Sequence, residues 1–174
     1  MNILENKDIK LRALEPTDID ILYDWENDMR CWEVSNTNAP FSRYILNKYL
    51  ENAHRDIFEN KELRLVIAKK DSDEPIGLID LFDYDPFHSR AGVGILIAGD
   101  KDRGQGYGKQ ALECLVNYSF KLLRMKLLYC NIAESNIASI SLFEELGFER
   151  TGVKKSWLRT MNGREDEYYY QINS

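Results

Sequence analysis

The feature that most constrains the fold is one continuous stretch, Ala91–Phe120 (AGVGILIAGDKDRGQGYGKQALECLVNYSF), in which an apolar run, a glycine-rich turn and a helical pattern follow directly on one another. Val93, Ile95, Leu96 and Ile97 read as a buried strand, and Ala111, Leu112, Leu115, Val116 and Leu122 recur at the spacing of a helix facing a core. Between them lies Arg103-Gly-Gln-Gly-Tyr-Gly108. Glycines at 104, 106 and 108 remove the Cβ atoms that would keep a phosphate from backbone N–H groups, and the following helix turns its free N-terminal donors toward the same spot. The turn therefore reads as an anion cradle flanked by Arg103 and Lys109, or, taken alone, as a plain loop. It lacks the GK[ST] ending of a phosphate-binding P-loop and the GxGxxG spacing of a dinucleotide fold, so neither of those assignments is favoured.

With 174 residues, 44% of them hydrophobic, the chain suits one domain spanning 1–174 with a packed core. No apolar run approaches the roughly 18 residues of a membrane span and no leader pattern opens the chain, so a soluble cytoplasmic protein without a membrane partner is expected. A net charge of −6 argues against nucleic-acid binding, which needs a basic surface. The acidity is concentrated: Glu15, Asp18, Asp20, Asp24, Glu26, Asp28 and Glu33 face a single Arg30 between them. Such a run is either a solvated helix face or a docking surface for a cationic partner. Cys31, Cys114 and Cys130 are too widely spaced for a disulfide framework and, with only His54 and His88, support no metal site; they read as small core residues.

Taken in order, Ile9–Ala13 alternates as a short strand that Glu15-Pro16 ends, and Thr17 reads as the cap of a helix running to about Asp28. Arg30–Pro40 reads as a loop. Ser42 starts a second helix, with Phe41 and Leu46 placed as a hydrophobic staple. Leu63–Ala68 and Ile76–Phe82 form a hairpin, Leu127–Ile132 a central strand and Asn136–Gly147 a glycine-ended helix. Glu149–Leu158 and Tyr168–Ile172 flank Asn162-Gly163, a hairpin signal. The order β-α-α-β-β-β-α-β-α-β-β predicts an α/β fold, a mixed sheet of about seven strands with about four helices.

Two motifs together resemble the GNAT family of N-acetyltransferases. Arg103-x-x-Gly106-x-Gly108 is similar to the family's R/Q-x-x-G-x-G/A motif, and Asn136-Ile-Ala-Ser-Ile-Ser-Leu-Phe-Glu-Glu-Leu-Gly-Phe148 to its N-x-x-S-x-x-L-Y-x-x-x-G-F signature. The opening IKLRALEPTDID and the closing NGREDEYYYQI resemble the branch of ribosomal-protein and spermidine N-acetyltransferases. The resemblance implies a sheet splayed at its centre. Acetyl-CoA would lie along Ile95, Leu96 and Ile97, its pyrophosphate on Arg103, Gly104, Gln105, Gly106, Tyr107, Gly108 and Lys109. It also implies Asn136 and Ser139 on the cofactor, Phe143 near the thioester sulfur, and direct acetyl transfer to a primary amine, with a backbone N–H of the splayed strand polarising the carbonyl.

The chain departs from the family at two acid–base positions. Phe143 stands where a tyrosine usually protonates the departing thiolate, and Gly92 where branch members often carry glutamate. The catalytic residues thus stay open, with Glu134, at the end of the central strand, as a candidate proton acceptor. Asp80 and Glu33 match acidic positions that would hold a cationic acceptor; His88 reads as capping or packing, and Trp32, Tyr44 and Trp157 as pocket walls or core. The acceptor is a polyamine such as spermidine, another small amine or a protein N-terminus. The alternative is a CoA-binding module with little or no catalysis. A homo-oligomer joined partly through Tyr168, Tyr169 and Tyr170 is a further expectation.

Overall fold

The fold is taken from a computed structural model that describes residues 2–35 and 37–174, the side chains of residues 33 and 34 excepted. Strands β1 (Ile9–Ala13), β2 (Leu63–Lys69), β3 (Pro75–Asp85) and β4 (Arg90–Ile97) lie antiparallel side by side. β5 (Leu127–Ala133) runs parallel to β4, and β7 (Gly163–Asn173) sits between β5 and the edge strand β6 (Glu149–Thr160). The result is one mixed sheet of seven strands, as the sequence predicts. Helices α1 (Ile19–Glu26), α2 (Met29–Ser35), α3 (Arg43–Asn52), the single turn α4 (Ile57–Asn60), α5 (Tyr107–Asn117) and α6 (Ile137–Glu145) surround it.

Alternation along the strands divides the core between two faces. Leu65, Ile67, Ile79, Ala91 and Val93 pack with Ala111, Leu112 and Leu115 of α5, whereas Val66 and Leu78 pack with Leu22 of α1 and Leu46 of α3. Burying each of the leucine, isoleucine and valine side chains contributes about 1.5–3 kcal/mol, so the two layers hold the helices to the sheet despite their short lengths. The three cysteines are buried and unpaired, in keeping with their reading as core residues.

β4 and β5 share only three pairs, Arg90↔Leu127, Ala91↔Leu128 and Gly92↔Tyr129. Beyond Gly92, β4 stays with β3 out to Gly77↔Ile97, and β5 stays with β7 out to Ala133↔Glu167. The facing edges of Val93–Ile97 and of residues 130–133 therefore lack each other as partners. The sheet opens as a V.

Several local expectations are corrected. The cap of the first helical segment is Glu15, in a reciprocal box with Asp18 ahead of the 3₁₀ turn Pro16–Asp18, and not Thr17. Proline at the first position favours that register. Residues 29–35 form α2 where a loop is expected, and α4 is an additional turn capped by Asp56. α5 gives way at Tyr118–Leu122 to a π turn, which carries Leu122 outward, 61% exposed. The β6–β7 turn pairs Thr160 with Gly163 and so is made by Met161 and Asn162, with Gly163 (φ 135°) opening β7. Of the β7 tyrosines, Tyr170 is buried, whereas Tyr168 and Tyr169 are half-buried and Tyr169 stacks on Tyr129.

Candidate active site

The V between β4 and β5 is a cleft of about 930 Å³. Val93, Gly94, Ile95 and Leu96 line one wall, Cys130–Ala133 the other, and Asn136, Ser139 and Phe143 of α6 close one side. Those three positions are spaced i, i+3 and i+7, so they form one stripe of the helix. Asn136 orients the stripe: its Oδ1 accepts the Ser139 N–H at 3.2 Å and so caps α6. Phe143 is 2% exposed and meets Phe148 edge to face at 4.9 Å, which holds its ring against the cleft floor. The unpaired backbone edge of β4 needs hydrogen-bond partners, from water or from an extended ligand.

Beyond the far end of β4 lies the glycine turn. Gly104 (φ 71°) and Gly106 (φ 82°) are left-handed, and a Cβ at either would meet nothing within 4 Å. The space before the first turn of α5 is thus open and faced by its free N–H groups, the geometry an anionic group requires. Gly108 serves differently: a Cβ there would reach Leu142 at 3.6 Å and Ile95 at 3.8 Å, so this glycine belongs to helix–strand packing. Arg103 Nε donates to the Ile97 carbonyl at 3.0 Å and Nη1 to Asp100 at 3.1 Å; Lys109 pairs with Glu145 of α6 at 3.2 Å. Both cations flank the turn. Gln105 is exposed on it, whereas Tyr107 packs on the core with the Lys69 ammonium 6.0 Å from its ring centre.

The other half of the cleft is polar. Arg64 donates to both oxygens of Asp80 at 2.8 and 2.9 Å and to Glu26 at 2.6 Å. Burial works against its charge, but Asp80 and Glu26 more than restore it. The Tyr49 hydroxyl donates to Glu62 at 2.7 Å, and burial pushes that phenol up from its ordinary range. Five carboxylates (Glu26, Glu62, Asp80, Glu165, Glu167) and two guanidiniums (Arg64, Arg159) line the cleft among the described residues. The balance favours a cation.

Asp80 therefore reaches the cleft, but as half of a bidentate ion pair. Glu134 does not reach it. Its carboxylate accepts the Asp166 N–H at 3.0 Å and the Tyr168 hydroxyl at 3.5 Å, clamping β5 to β7, while Ala133 and Ser135 on either side do line the cleft. The side chain of Glu33 lies outside the described residues. His88 donates its backbone N–H to Asp85 in the β3–β4 loop. Trp157 lines the cleft at 60% exposure, Tyr44 is exposed away from it, and Trp32 donates to the Glu26 carbonyl at 3.0 Å. The acidic run proves largely paired: Asp18 with Arg12, Asp20 with Arg43, Glu26 with Arg64 and Asp28 with Arg30.

Arg64, Glu62, Glu165 and Glu167 are cleft residues that sequence reasoning misses. For Glu167 a signal existed, because the period of two along β7 puts it on the face opposite the buried Tyr170. Nothing in the sequence pairs Arg64 with residues 26 and 80.

Residues 8–149 match the family model described as acetyltransferase (GNAT) domain. The spermidine N(1)-acetyltransferase of Vibrio cholerae is 29% identical over 150 residues, covering 84% of this chain and 82% of that protein. An uncharacterized N-acetyltransferase of Bacillus licheniformis, p20, is 24% identical over 173 residues, covering 99% and 96%. The crystal structure of spermidine N-acetyltransferase from Vibrio cholerae in complex with CoA and spermine superposes with a TM-score of 0.85 at 26% identity, covering 97% of this chain and 96% of that one.

Proposed function

The chain belongs to the GNAT acetyltransferase family, and from that footing we propose that it moves the acetyl group of acetyl-CoA to a primary amine of a cationic acceptor, a polyamine or small alkylamine. The observation that carries the acceptor class is the excess of carboxylates over guanidiniums along the acceptor half of the cleft. The donor end is supported by the open left-handed turn at Gly104 and Gly106 and by the unpaired edge of Val93–Ile97, along which the extended arm of CoA would pair as an added strand. A spermine-bound relative accords with the same reading. Three buried thiols accord with a cytoplasmic location.

In this reading the amine nitrogen attacks the thioester carbonyl, the C–N bond forms, and collapse of the tetrahedral centre breaks the C–S bond and releases CoA. An alkylamine with a pKa near ~10 arrives protonated and must shed a proton first. Carboxylates around the cleft hold the cation, and water in the open V takes the proton to solvent. A backbone N–H on the free edge of β4 faces the developing oxyanion. No hydroxyl stands at Phe143, so the thiolate leaves unassisted and takes its proton from water; this is tolerable because thiolates are stable at neutral pH relative to alkoxides. The rest of the acceleration is proximity. Acceptor-dependent release of CoA, measured with spermidine, spermine, simple amines and N-terminal peptides, tests the assignment. Turnover restricted to peptides would replace the polyamine by a protein N-terminus.

A further inference from the structure

An alkylammonium of the protein itself already sits on three residues that line the cleft. Lys154 Nζ donates to Asn131 Oδ1 at 2.8 Å and to Glu167 Oε2 at 2.9 Å, and lies 5.4 Å from the centre of the Trp157 ring. Asn131, Glu167 and Trp157 all line the cleft. A carboxylate, an amide oxygen and an indole face are what a primary ammonium takes as partners. β6 shapes the seat: its register shifts between Lys154 and Leu158, with Ser156 at φ 49°, next to Trp157.

We propose that Asn131, Glu167 and Trp157 form the seat for the non-reacting ammonium of a diamine or polyamine acceptor, and that Lys154 is a resident placeholder which the acceptor displaces. The proposal rests on the amine-acetyltransferase reading and adds the subsite that would distinguish a diamine from a monoamine. The two partners differ in the way displacement requires. The Glu167 side chain is 10% exposed and needs a cation, whereas Lys154 is 37% exposed, on a flexible stem at the sheet edge. Exchanging one ammonium for another leaves the buried charge balanced. Asp80 and Glu26 offer no such exchange, because Arg64 holds both from within the sheet.

The test compares Lys154→Met, Lys154→Arg and Glu167→Gln with the parent enzyme, using 1,4-diaminobutane, spermidine and butylamine at saturating acetyl-CoA. Lys154→Met vacates the seat and lowers the KM of the two polycations about 3- to 10-fold; Lys154→Arg, a tighter partner for a carboxylate, raises it. Glu167→Gln raises it about tenfold or more with kcat little changed, as expected for loss of one charged hydrogen bond. The acetyl-CoA KM stays put in all three, and the butylamine KM moves less than those of the polycations. Unchanged polycation KM values, or equal shifts for butylamine, overturn the seat while leaving the acetyltransferase reading intact. If the parent enzyme acetylates no amine, that reading fails, and the spermidine-induced rise in Tm in the presence of CoA decides the seat separately. A rise that grows in Lys154→Met and vanishes in Glu167→Gln upholds it; the same response in all variants, or none in any, overturns it.

Discussion

Gly92 has no side chain because the ring of Phe82 occupies the space one would fill: a Cβ built at Gly92 would lie 2.3 Å from a ring carbon of Phe82. Phe82 in turn sets its edge against Tyr129, 6.1 Å between centroids, at the last pair that β4 and β5 share. The missing glutamate of the family pattern is thus one side of a packing exchange across adjacent strands.

Installing the glutamate alone therefore fails. Gly92→Glu displaces the Phe82 ring and lowers stability by about 1–3 kcal/mol without a gain in turnover. Phe82→Ala with Gly92→Glu recovers stability relative to the single variant, a coupling read directly from a double-mutant cycle in urea. Additive effects would mean that the two positions do not compete for space.

Gly106→Val places a β-branched residue at φ 82° and puts its side chain into the open space before α5. Acetyl-CoA affinity falls at least about tenfold, with a stability loss of about 1–3 kcal/mol from backbone strain. Calorimetric titration with acetyl-CoA checks it, and unchanged affinity would remove the anion from this turn.

Phe143→Tyr adds a hydroxyl at the floor of the cleft, where the proposed mechanism has the thiolate depart. Because departure already proceeds without an acid, kcat rises by no more than about tenfold, below the ~10²–10⁴-fold that general acid–base assistance typically supplies. A gain of a hundredfold or more would show that leaving-group protonation limits the natural enzyme.

The thiols give a pH dependence. Burial, with Glu113 and Glu5 adding repulsion, pushes Cys114 up to about 11, and burial alone raises Cys130. A thiol whose folded pKa exceeds its unfolded value of about 8.5 contributes full stability below the unfolded pKa and loses it as pH climbs through the folded one. Stability accordingly declines between about pH 8.5 and 11, a decline that Cys114→Ala lessens in denaturation curves. For the same reason the folded protein reacts slowly with colorimetric thiol reagents near neutrality. A fast burst of thiol reaction would contradict the burial.

The donor half of the site is more legible in the sequence than the acceptor half, and the reason is physical. The cradle depends on local features, glycines that take left-handed φ next to a helix start, and these occupy consecutive positions. The stripe Asn136, Ser139, Phe143 follows from one helix's periodicity. Acceptor residues converge from α1, β2, β3, β6 and β7, and no local pattern reports that Arg64 neutralises Asp80 or that Lys154 reaches Asn131. α2 was illegible for a different reason: seven residues are too few for a helical period to stand out beside the turn-forming run that follows. Glu134 misleads because it stands just past the end of β5, where its carboxylate accepts the Asp166 N–H instead of entering the cleft.

The most direct measurement is release of CoA thiol from acetyl-CoA with spermidine as acceptor, followed by a colorimetric reagent, which the buried cysteines leave undisturbed. The account predicts release that saturates with spermidine, with one acetyl group gained per CoA freed. Binding of acetyl-CoA without release on spermidine, spermine, small amines or N-terminal peptides would contradict it and leave a CoA-binding module in its place.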